Sequence, residues 1–246
     1  MRGLTAIYRR ELAGLFLAPL AWVLLFLALS LQGWLFVRAL QEAQGDVTEA
    51  LRFVFGSSVP FWILLVVLPP LLTMRTISEE ASRGMLEFLL TAPVTDAAVV
   101  VGKFLASVTF MALLWSSALL YGLVLAVAGT PPDWPPLIGS VVGAVLCSAL
   151  FCPIATFASA ASRTPMLAFF LAFVANSFLL LLPVTTNVLD SGPYRAVVRR
   201  LDVMSHFHRS FSIGVMDSAA LVFLVAWSAF FVFLAVRRVE MQRWRG

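Results

Sequence analysis

The sequence predicts an all-α integral membrane protein with six transmembrane helices. An N-terminal interfacial helix, a cytoplasmic helix between the second and third spans, and an outer re-entrant or interfacial helical segment complete the single domain. Three observations predict this. Of the 246 residues, 61% are hydrophobic and only 12% charged, with a mean hydropathy of +0.96, whereas soluble domains are about half apolar and about a quarter charged. Six stretches reach the roughly 20 apolar residues that a span requires. None of the six contains Lys, Arg, Asp, Glu or His in its interior. This composition excludes a disordered chain, a disulfide-rich secreted module and an ordinary cytosolic enzyme.

Residues 1–16 place Leu4, Ile7, Tyr8, Leu12 and Leu15 at helical spacing, with Arg2, Thr5, Arg9 and Arg10 elsewhere. This is a short amphipathic interfacial helix and also a positive topology signal. The first span, 17–37, is too long for a signal-peptide core and lacks a convincing A-x-A site, so it reads as uncleaved. The second, 54–74, ends in Pro69-Pro70, a pair expected to bend or end its helix. The intervening segment 75–103 holds four acids and three bases, with Glu79, Arg83 and Glu87 each four apart, a spacing that laces a helix with ion pairs. Met85, Leu86, Leu89 and Leu90 add an apolar face. The pattern suits a helix made to dock on another protein and, equally, one lying on the membrane surface. Thr95 and Asp96 after Pro93 read as the cap of a helix leading into span three, 104–128.

Span four, 137–161, contains Cys147 and Cys152, five apart and on different helical faces, which read as small apolar fillers. Span five is 165–188. The stretch 191–217 is too polar to span. Val197, Leu201, Met204, Phe207 and Phe211 fall on one face, away from Arg195, Arg199, Arg200, Asp202 and His206, and Gly214 breaks the run. It predicts an outer amphipathic helix in the headgroup layer or dipping below it. His206 and His208 lack a nearby Cys or carboxylate partner, so no metal site is assigned. Span six is 218–236.

An even number of spans puts both termini on one side. That side carries eleven of the seventeen Lys and Arg residues, and positive residues gather at cytoplasmic ends. The excess of positive charge therefore faces cytosol and anionic lipid, and no nucleic-acid partner is implied. The only lysine, Lys103, is followed by Phe104 and preceded five residues earlier by Ala98, so it does not form a Walker phosphate loop. No hydrolase, metalloprotease or selectivity-filter pattern appears, and the spans lack the buried charge of an ion-coupled pump. No catalytic residue is assigned, and an energised transporter of this kind needs a separate engine.

The run RTISEEASRGMLEFLLTAPVTDAAVVVGK resembles the signature of type-2 ABC transporter permeases, the membrane subunits of ABC exporters. The match covers Arg75, Ile77, Glu79, Glu80, Gly84, Leu86, Glu87, Leu89, Leu90, Pro93, Val94, Gly102 and Lys103, and departs at Met85, where the family usually has Thr. The opening Y-R-R-E-L is similar to the family's opening, and the tail from Phe211 to Asp217 is similar to the gliding-motility-associated and nitrous-oxide-reductase-maturation branch. The resemblance implies a coupling helix in 75–103 that seats in a separate ABC ATPase, with Arg75, Glu79, Glu80, Arg83, Gly84 and Glu87 shaping the contact and Leu86, Leu89 and Leu90 seating it. It implies an outer re-entrant segment that includes Arg199, Arg200, His206, Phe207 and Phe211. It further implies a dimer with a second copy or a paralogous permease, with spans one, two and five at the path and dimer contact. The partner ATPase binds ATP and Mg, this chain holds no cofactor, and an accessory extracytoplasmic subunit is compatible. The expected setting is the bacterial cytoplasmic membrane. An alternative reading is a non-transporting anchor that couples ABC ATPases to a motility or assembly complex.

Overall fold

The computed structural model describes residues 2–82, 95–183, 198 and 200–243. Every regular element among them is helical. The N-terminal helix α1 (Arg2–Leu17) and the first span α2 (Pro19–Glu42) are separated by Ala18 alone. Pro19 dictates that break. Its ring disfavours helical backbone in the residue before it, and Ala18 is extended at φ −76°, ψ 124°. One face of α2 is buried through Ala21, Leu24, Ala28, Gln32, Phe36 and Ala39. Trp22, Val23, Phe26 and Leu27 on the other side are exposed, as a lipid-facing surface requires.

After a turn at Gln44 and Gly45, both at positive φ, Asp46 caps α3 (Val47–Arg52) by accepting from the amides of Thr48 and Glu49. A π-helical turn, Phe53–Ser57, leads into α4 (Val59–Thr73). The two halves meet at a bend of 41°, fixed at Ser58, whose hydroxyl donates to the Val54 carbonyl and accepts from the Phe61 amide. Pro69-Pro70 was expected to bend or end the helix. The bend lies elsewhere, but α4 does end within one turn of the pair, running through both prolines to Thr73, where Thr73 Oγ1 donates to the Pro69 carbonyl at 2.9 Å. The two missing amides leave the Leu65 and Val66 carbonyls without their usual partners, a loss that membrane-buried helices tolerate when neighbouring groups compensate.

A short helix α5 (Ser78–Ser82) follows. Helix α6 (Asp96–Val127) is 32 residues long, with Thr95 capping it as expected through the Ala98 amide. At 1.5 Å per residue it extends about 48 Å, well beyond the roughly 30 Å hydrocarbon layer. Helix α7 (Trp134–Ala161) is the central element, touching α4, α6, α8 (Pro165–Leu181) and α10 (Ser218–Arg243). Its buried positions include Gly139, Ser140, Gly143, Ala144, Cys147, Ser148, Cys152 and Ala155, small residues that let neighbouring backbones approach. Both cysteines are free and buried. Between α8 and α10 lie α9 (Val203–Arg209) and a 3₁₀ turn, Phe211–Ile213.

Among the described residues, four helices are long and apolar enough to cross a membrane, namely α2, α6, α7 and residues Ser218–Met241 of α10, and the bent Val47–Thr73 pair makes a fifth. The sequence-based count was six. Helix α8 has 17 residues, about 25 Å, short of a full crossing by itself. Residues 184–188 of the expected fifth span lie outside the described residues.

Candidate functional site

At the end of the bundle that carries the N-terminus, α1, the residues after α4, and the first turns of α6 converge on one buried cation. Lys103 is 1% exposed. Its Nζ donates to Glu11 Oε1 at 3.0 Å and to the Thr76 carbonyl at 2.7 Å. Arg10 Nη2 also donates to Glu11 Oε1, at 2.8 Å. Burial opposes ionisation of Glu11, but the Lys103 charge and the hydrogen bonds from Arg10 and Lys103 outweigh it and hold the carboxyl below its ordinary range. Gly102 makes this approach possible, since a Cβ there would stand 2.9 Å from Ile7 Cγ2 and 3.3 Å from the Tyr8 amide nitrogen. Tyr8 Oη and Thr109 Oγ1, 3.1 Å apart, extend the seam between α1 and α6.

A second anchor comes from α7. Ser159 Oγ accepts from the amides of Ile77 and Ser78 at 3.2 and 3.1 Å and donates to the Met74 carbonyl at 3.2 Å. Ile77 is buried with Val100, Ala160, Ala235 and Val239. Thus the first residues of the segment between α4 and α6 are tied to α1, α6, α7 and α10 at once. A segment held on so many sides moves only with its neighbours.

Two open clefts flank this segment, of about 310 Å³ and about 780 Å³, and Leu71, Arg75 and Glu79 line both. Arg75 is exposed and Glu79 partly buried. Glu80 lies on α5 by its backbone. Arg83, Gly84, Leu86, Glu87, Leu89 and Leu90 lie outside the described residues. Glu11, Thr76 and Ser159 were not singled out from the sequence. One signal was present: Glu11 is the only acid before Glu42, set in a basic apolar helix.

At the opposite end, the described part of the 191–217 stretch contains the seven-residue α9 and one 3₁₀ turn, ended by Gly214 at φ +78°, while 191–197 lie outside the described residues. Phe207 and Phe211 are fully buried. They insert where α7 offers glycine: a Cβ on Gly143 would lie 2.7 Å from both side chains, and one on Gly139 would lie 2.2 Å from the Phe211 carbonyl oxygen. Phe207 also packs on Phe61 and Trp62, with centroids at 5.3 Å. The two histidines diverge. His206 stacks on Phe223 at 4.6 Å and its Nε2 lies 3.2 Å from the Arg200 carbonyl, while His208 stacks on Trp62 and its Nδ1 lies 2.8 Å from the Met204 carbonyl. Arg200 is exposed. Arg199 and Val197 lie outside the described residues.

Residues 37–241 match the model of a protein family described as ABC-2 family transporter protein. The chain belongs to the ABC-2 transporter family. It is a multi-pass membrane protein and the permease component of an ABC transporter, whose family associates with ABC ATPase subunits. The match includes the Lys103 end of the buried junction and all of α9, and begins after Glu11. No curated protein matches the chain.

Proposed function

We propose that this ABC-2 permease is the membrane subunit of an ATP-driven exporter, working as a dimer and receiving force from separate ATPases through residues 75–103. The observation that carries this reading is the Lys103 junction. A solvated linker between two spans has no use for a buried lysine and a buried serine that clamp its first residues to three helices. A lever does, because rigid coupling turns movement of a docked ATPase into rocking of α1, α6 and α7. The ATPase supplies the ATP and Mg site, and this chain performs no catalysis.

In this reading the junction faces the cytoplasm of a bacterial inner membrane, as do both termini. Helix α8 and the residues after it form the remaining span, giving six. The partner permease is a second copy or a paralogue, and the narrower relationship is to the gliding-motility and nitrous-oxide-reductase-maturation branch. The test is purification of the tagged chain from its native membrane in mild detergent, with mass spectrometry of what accompanies it. A Walker-motif ATPase is expected, and Glu80→Lys should release it while the permease stays folded. Recovery of the chain alone across several detergents, or full ATPase retention by the variant, would overturn the coupling assignment. Cargo-dependent ATP hydrolysis in liposomes separates an exporter from an anchor.

A further inference from the structure

The larger cleft holds the start of α8 away from the end of α4. Leu71 and Met74 line one side, and Met166 and Phe169 line the other. Met166 is 84% exposed, so the first turns of α8 have room to move toward α4. Farther along, α8 packs on both α4 and α7, yet its buried side chains are Ala168, Ala172 and Asn176. Ala172 sits in one cluster with Ala155 and Ala158 of α7. Alanine methyls are too short to interlock as larger ridges do.

The third buried residue is polar. Asn176 is fully buried, and neither atom of its amide has a hydrogen-bond partner among the described residues. It stands seven residues beyond Phe169, two helical turns, and so projects on the side of α8 that lines the cleft. Facing that side, α4 has spare acceptors. Pro69 and Pro70 lie within it and carry no amide hydrogen, so the Leu65 and Val66 carbonyls lack their helical donors. The end of α4 and the start of α8 meet at the cleft, and the two helices run away from it side by side. Leu65 and Val66 lie six and five residues back from Leu71. At about 1.5 Å per residue, the amide and these carbonyls share one depth to within about a turn.

We propose that α8 closes the cleft by swinging onto α4, and that Asn176 latches the closed arrangement by donating from Nδ2 to a carbonyl freed by Pro69 or Pro70. The structure shows the open arrangement. In a bilayer the apolar walls gain little by meeting, because lipid tails solvate them as well. The amide and the carbonyls gain much more, since each lacks a partner while the cleft is open. One hydrogen bond therefore sets the balance. The end of α4 is held in place, with the Met74 carbonyl bonded to Ser159 and the Thr76 carbonyl to Lys103. Residues 162–164 alone join α7 to α8 and form the hinge, so α8 is the helix that moves. The motion belongs to the permease itself and does not depend on ATPase recruitment.

The experiment is disulfide trapping of the full chain in its native membrane, with Cys147→Ala and Cys152→Ala removing the native thiols. Leu71→Cys with Met166→Cys spans the cleft, and Ala155→Cys with Ala172→Cys spans the packed face of α7 and α8 as a reference. Both pairs should bridge under copper phenanthroline. One amide–carbonyl bond shifts a two-state balance by about two- to tenfold. Adding Asn176→Leu should slow the cleft pair by about that factor and leave the reference pair unchanged. Pro69→Ala with Pro70→Ala gives both carbonyls their own helical donors, so it should slow the cleft pair to the same extent, with no further loss when Asn176→Leu is added. A reference pair that bridges while the cleft pair does not, equal cleft rates with Asn and Leu at position 176, or additive losses in the combined variant would each overturn the latch.

Discussion

Replacing Lys103 with Met keeps the length of the side chain and removes its charge and its three donors. Two bonds are lost at the junction. The Thr76 carbonyl loses a 2.7 Å bond and Glu11 loses a 3.0 Å partner, while Arg10 still holds the same carboxylate oxygen at 2.8 Å. Removing one member of a buried pair costs about 3–5 kcal/mol when the remaining charge is stranded. Glu11 is 18% exposed and keeps Arg10, so the lower end applies, and the loss is about 3 kcal/mol. Glu11→Gln alone should cost about 1–2 kcal/mol, because the amide oxygen still accepts from Lys103. The two changes share one contact, so a double-mutant cycle by equilibrium unfolding in mild detergent should show about 1–2 kcal/mol of coupling. Hydrogen exchange over residues 74–82 should accelerate in Lys103→Met before global unfolding does. Additive losses in the cycle, or unchanged exchange over 74–82, would refute the view that this lysine clamps the segment.

Acid should loosen the same junction. The folded pKa of Glu11 lies below its ordinary value of 4.5, so its contribution is complete above pH 4.5 and fades as pH falls through the lowered folded value; Glu11→Gln should flatten that part of a stability–pH profile. Gly139→Ala forces a methyl to 2.2 Å from the Phe211 carbonyl oxygen, and backbone cannot yield as a flexible side chain does, so a loss of about 1–3 kcal/mol or more is expected in thermal melts. Asn176 is fully buried with neither amide atom hydrogen-bonded, so Asn176→Leu should raise stability by about 1–3 kcal/mol. A destabilised Leu variant would show that the amide is satisfied in the membrane.

The legible part of this protein is the part written in local pattern. Apolar length between charged punctuation marked α2, α6, α7 and α10, and Thr95 announced a helix start that the structure places there. Local pattern misled where neighbours decide the outcome. The Pro69-Pro70 pair was read as a bend or an end; the helix ends one turn beyond it, while the bend sits at Ser58, where a π-helical turn meets a side-chain cap. The 191–217 stretch has a helical apolar face, but where Phe207 and Phe211 are seated is decided by glycines some 70 positions away in α7.

The site divides in the same way. Residues 75–103 stood out because charge, an apolar face and a family motif coincide in one run. The partners that hold the start of that run are spread over α1, α6 and α7, and no periodicity connects Glu11, Lys103 and Ser159. By itself, the sequence determined that the chain is helical and membrane-embedded, because burying backbone in hydrocarbon leaves few alternatives to long apolar helices. It also determined that the chain carries no Walker phosphate loop of its own. Only the tertiary structure decided where the lysine points and which glycines receive the outer aromatics. Those facts depend on contacts between residues far apart in the chain, and such contacts exist only once the helices have packed.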